Sequence, residues 1–69
     1  MKHIALTVDL TDAEAWELAL FIKRLRFDQC HELTDAWQSR TERDEQAYLM
    51  LHALGHVSRA LELSGYAPR

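Results

Sequence analysis

His52 and His56 stand four residues apart in "HALGH", a helical spacing that can aim two imidazoles at one metal ion, with Cys30 or His31 available to complete a site. The residue after His52 is Ala53, where the zinc-protease pattern carries a catalytic Glu, and there is no second cysteine. The sequence therefore predicts no metal and reads the two histidines as interface residues. Cys30 beside His31 resembles a thiol next to a base, but neighbours on a helix point about 100° apart. Cys30 reads as a small buried hydrophobe. The carboxylates Glu32, Asp35, Glu42, Asp44 and Glu45 are numerous enough for acid–base work, yet they fall at helix starts and polar positions where solvation accounts for them. The 2 glycines lie far apart, so no phosphate-cradling loop exists. Trp16, Trp37 and Tyr48 lack the basic surroundings of base-stacking platforms and read as helix-packing aromatics. The expectation is a protein with no catalytic residue and no cofactor.

The elements that position these residues follow from periodicity. Residues 3–10, "HIALTVDL", put Ile4, Leu6, Val8 and Leu10 on one side of an extended chain, the period-two pattern of a half-buried strand. Thr11 and Glu14 have capping-box spacing, so a helix is expected over about 12–26, with acids at its start and bases at its end. Phe27, Cys30, Leu33 and Trp37 recur at three- and four-residue spacing and predict a short helix over about 28–38. Thr41 and Asp44 repeat the capping pattern weakly, and a long helix over about 42–64 is closed by Gly65 with Pro68 beyond. The expected fold is mainly α (α+β), one N-terminal β-strand followed by two long antiparallel helices with a short helix between them. Leu6, Val8, Leu18, Ile22, Leu25, Leu51, Leu54 and Leu61 should line the core.

At 69 residues the chain is one domain with a marginal core, and its single cysteine offers no internal disulfide. Association is a natural source of added stability. A lone strand leaves its amides and carbonyls unpaired, so a homodimer through the N-terminal strand is expected. Trp16, Leu20, Leu49, His52, His56 and Leu63 are apolar or aromatic intrusions on otherwise polar helix faces and are the candidate dimer or partner interface. Neither a signal peptide nor a membrane-spanning run is legible, so the reading is cytoplasmic with no membrane partner. Eight Lys and Arg against eleven Asp and Glu give a formal net charge of -3, which disfavours a nucleic-acid backbone and favours a basic surface.

Strand, capped helix and helix in that order resemble the ribbon-helix-helix class of dimeric DNA-binding regulators, in which Lys2 or His3, Ala5, Thr7 and Asp9 would occupy the groove-facing positions. Asp9, the acidity and the long connection between helices depart from that class. In "LTVDLTDAEAWELALFIKRL", "DEQAYLMLHALGHVSRALE" and "GYAPR" the chain resembles a family of small uncharacterised proteins of bacterial plasmids, integrative elements and phage islands; residues 27–43 do not match it. That likeness implies a mobile genetic element as the setting, where small acidic proteins often inhibit host defence. The expected function is a non-enzymatic, acidic protein-binding module, an anti-CRISPR inhibitor that occludes a nucleic-acid-binding surface of a CRISPR effector subunit. Asp28, Glu32, Asp35, Glu42, Asp44 and Glu45 would carry the contact. The alternative is a dimeric ribbon-helix-helix-like DNA-binding transcriptional regulator.

Overall fold

The computed structural model describes residues 2–69 and contains three helices among them. The first, α1 (Asp12–Arg24), starts where the sequence requires: the Thr11 amide donates to Glu14 Oε1 at 2.8 Å and the Glu14 amide donates to Thr11 Oγ1 at 3.1 Å. This closes a reciprocal capping box. Asp12 and Glu14 lie in the first turn and Lys23 and Arg24 in the last, matching the helix dipole. Leu25 then turns to extended backbone, and α2 (Phe27–Glu32) begins after Arg26, whose amide donates to Gln29 Oε1 at 2.9 Å.

The helix expected over about 28–38 is thus shorter and earlier. It stops because the Thr34 hydroxyl donates to the His31 carbonyl at 2.6 Å and ties down a terminal acceptor. Leu33 and Trp37 follow in the connection and are exposed. The third helix, α3 (Arg40–Leu63), is capped by Ser39, whose hydroxyl accepts from the Glu42 amide at 3.2 Å, and not by Thr41 with Asp44. At its other end Tyr66 N–H donates to the Leu61 carbonyl at 2.8 Å and Gly65 N–H to the Glu62 carbonyl at 3.0 Å, with Gly65 at φ +98°. This is the Schellman arrangement, which needs a left-handed residue at that point.

Two expectations are corrected. No strand is present among the described residues: 2–10 run without regular structure, and Leu6 and Val8 are exposed instead of lining the core. The alternation of polarity is real, but no second segment lies alongside to accept the ladder hydrogen bonds, and a strand cannot exist alone. Nor do two long antiparallel helices bracket a short one. Only α3 is long, at 24 residues against 13 for α1, and α2 and α1 both pack onto it.

The core that results is small. Ala15 and Ala19 of α1 meet Leu61 of α3, with Leu18, Ile22 and Tyr66 packed around them; Cys30 and Ala47 are also buried. Among the described residues no large side chain is fully buried, whereas Ile4, Leu6, Leu49 and Leu63 are each at least two-thirds exposed. Leu51 and Leu54 are half-buried. The accessible surface is 6013 Å². A compact monomer of 8.0 kDa should expose only about 4,500 Å², roughly 1,500 Å² less.

Candidate functional site

The connection from α2 to α3 is fixed by side chains. Arg43 donates from Nε to Thr34 Oγ1 at 2.8 Å and from Nη2 to the His31 carbonyl at 3.3 Å, joining the first turns of α3 to the end of α2. Gln46 exchanges hydrogen bonds with Asp35, accepting from its amide at 3.3 Å and donating to its carboxylate at 3.4 Å. His31 Nε2 stands 3.0 Å from Asp44 Oδ1. These contacts set where the six acidic candidates sit.

Asp28, Glu32 and Asp44 gather around one open depression with Phe27, His31 and Arg40. Asp35 lies apart with Gln46, while Glu42 and Glu45 are exposed on the first turns of α3. Cations are interleaved with them: Arg26 Nε is 3.5 Å from Asp28, and Arg40 shares the depression. The acidic candidates therefore form a mixed-charge surface and not a continuous negative strip.

The apolar candidates divide into two groups. Trp16 is partly covered within the chain, its ring meeting Tyr66 edge to face at 5.1 Å and 72°, and is still 39 % exposed. Leu20 is half-buried beside Phe21, Leu25 and Gln29. His52 faces Tyr48 at 6.1 Å, and Tyr48 in turn lies against Phe27 at 4.7 Å. Leu49, His56 and Leu63 remain exposed on α3 with no such cover. Among the described residues no group of three or more metal-ligating side chains converges. No helix among them is long and apolar enough to cross a membrane.

Sequence reasoning missed two organising residues. Tyr66 donates its hydroxyl to Asp12 Oδ1 at 2.8 Å, which ties the C-terminal tail to the first turn of α1 and pushes the phenol above its ordinary range. The Gly65 stop signal was the visible clue, since a Schellman turn reverses the chain and fixes where Tyr66 emerges. Arg43 had no clue: one basic residue among acids gives no sign of a long-range carbonyl partner. Elsewhere, Glu14 is held below the usual carboxylate range by the Thr11 amide and then the Thr11 hydroxyl.

The N-terminal arm is the other notable surface. Leu6, Val8 and Leu10 form one wall of an apolar depression whose other wall is Val57, Ala60 and Leu61 of α3. Ile4 and Leu6 are nevertheless 80 % and 82 % exposed. No curated protein and no solved structure matches the chain. A family model described as a family of unknown function, DUF7706, matches residues 1–69, and the chain belongs to that family.

Proposed function

We propose that the chain is a non-enzymatic protein-binding module whose N-terminal arm docks on a partner. The observation that carries this reading is the exposure of Ile4, Leu6 and Val8 in an arm lacking regular structure. A solvated apolar row of this kind is stabilised by a partner that covers it. The partner proposed is a subunit of a CRISPR effector, and the setting a mobile genetic element. The net charge of -3 supports approach to a basic nucleic-acid channel. Affinity purification of the tagged chain from a host carrying CRISPR systems, with a phage-plaquing assay, tests this. Recovery of an effector subunit that is lost with Leu6→Glu and Val8→Glu is expected. Unchanged plaquing against every CRISPR type and no effector subunit recovered would refute it.

Direct DNA binding is the second reading, favoured by Lys2, His3 and Thr7, which are all exposed along the arm. It requires affinity for duplex DNA that falls steeply with salt and weakens on replacing Lys2 and Thr7. A mobility shift that is insensitive to both changes would exclude it.

A further inference from the structure

The face of α3 turned away from α1 and α2 has a pattern of its own. Leu49, Ala53, His56, Ala60 and Leu63 follow one another at intervals of four, three, four and three residues, and every one is exposed. That is the 3.5-residue period of a helix–helix seam. At 100° per residue its centre lies about 140° around the helix from the direction of Ala47 and Leu61, which face the core, so the seam points away from α1 and α2, and of its five residues Ala60 alone also borders the depression beneath the arm.

The order of residues along the seam is palindromic: Leu, Ala, His, Ala, Leu. A two-fold axis that pairs α3 with α3 of another copy in antiparallel alignment places a patch against itself. With the axis at His56, Leu49 lies level with Leu63 of the other copy and His56 with His56, while Ala53 and Ala60 face each other one residue, about 1.5 Å, out of level. Each large residue then finds a large one, and the alanines allow close approach of the backbones on either side of the axis. The seam extends about 21 Å, from 1.5 Å per residue. Val57 and the depression walled by Leu6, Val8 and Leu10 border it on one side, continuing the apolar surface toward the arm.

We infer that this face of α3 is the interface of an antiparallel homodimer centred on His56. A second copy is the occupant the residue order favours: the seam reads the same in both directions, so a two-fold partner sets leucine against leucine and histidine against histidine. The polar pair of histidines at the centre fixes the register, as single polar residues do in helical seams.

Sedimentation of the full chain at micromolar concentration is expected to give twice the 8.0 kDa mass. Leu49→Lys should weaken association roughly tenfold or more, and adding Leu63→Glu should restore it by setting the new ammonium of one copy against the new carboxylate of the other. Far-ultraviolet circular dichroism checks that each variant keeps its helices. Under oxidation His56→Cys should link two copies covalently, and Leu49→Cys alone should not, while Leu49→Cys with Leu63→Cys should. The unmodified chain is the control, because its Cys30 is buried. A single-chain mass for the wild type, or self-linking by Leu49→Cys alone, would overturn the proposal.

Discussion

The same substitution at the two glycines should move stability in opposite directions, and the structure gives the size of each change. Gly55 lies inside α3, where a Cβ would meet nothing within 4 Å, so Ala there gains helix propensity at no steric cost. Gly55→Ala should stabilise the chain by about 1 kcal/mol. Gly65 also has open space around it, but its φ of +98° lies in the region that L side chains rarely adopt. Gly65→Ala should therefore destabilise by about 1–2 kcal/mol from backbone strain alone. Relief of that strain would unwind the Schellman turn and draw Tyr66 away from Asp12 and Trp16, so the loss should fall at the upper end. For a domain of this size 1 kcal/mol corresponds to about 4–8 °C in Tm. Thermal unfolding followed at 222 nm measures both variants, at one fixed protein concentration because association contributes to stability. Gly65→Asn should lie between wild type and Gly65→Ala, since Asn tolerates left-handed backbone. Shifts of the same sign for the two alanine variants would refute the reasoning: stabilisation at 65 would mean the turn needs no left-handed residue, and destabilisation at 55 would mean another surface packs there.

Four further outcomes rest on the polar contacts. Thr11→Ala should cost about 1 kcal/mol in chemical denaturation by removing the α1 cap. The bonded Glu14 carboxylate has a lowered pKa, so its contribution is present above the ordinary value of 4.5 and lost as pH falls through the lowered one; Glu14→Gln should flatten that acid limb. Tyr66 has a raised pKa, so its contribution is complete below the ordinary value of 10.0 and lost as pH rises through the raised one, and Tyr66→Phe should abolish this alkaline dependence in a pH series of melts. Thr34→Val should cost about 1–3 kcal/mol, because it leaves Arg43 Nε and the His31 carbonyl without a hydroxyl partner at a buried position. A loss well below that range would show that water replaces the hydroxyl.

How far the sequence reveals this molecule depends on whether a signal is local. Thr11 with Glu14 and Gly65 ahead of Tyr66 are local devices, satisfied within a few residues, and both stand where the sequence puts them. The apolar period in residues 27–37 is local too, but it does not encode the Thr34 hydroxyl that ends α2 early or the Arg43 side chain that holds that end. The alternation in Ile4, Leu6, Val8 and Leu10 reports an apolar row that the single chain leaves in water. It does not report what covers that row, because pairing is a property of a second segment. The acidic candidates illustrate the same limit: their charge is plain in the sequence, but the placing of Arg26 and Arg40 among them is not.

The distribution of side-chain size carries the argument past the single chain. Ala15, Ala19 and Ala47 occupy buried positions, and Ile4, Leu6, Leu49 and Leu63 occupy exposed ones. Burial of a large aliphatic side chain contributes roughly 1.5–3 kcal/mol, so a chain stabilised only by its own contacts would place the large residues inside. Here the small residues let α1 and α3 approach closely, and the large ones lie on two adjoining surfaces, the arm and the outer face of α3. If the arm serves a foreign partner and the α3 face a second copy, the two activities separate by mutation. Leu6→Glu with Val8→Glu should abolish capture of the partner while sedimentation still shows a dimer. Leu49→Lys should reduce the mass to that of one chain and leave the arm's contact intact, with apparent affinity reduced by lost bivalency. Loss of dimerisation by the arm variant with α3 helicity retained would show that both surfaces belong to one interface, and the foreign partner would then need another site.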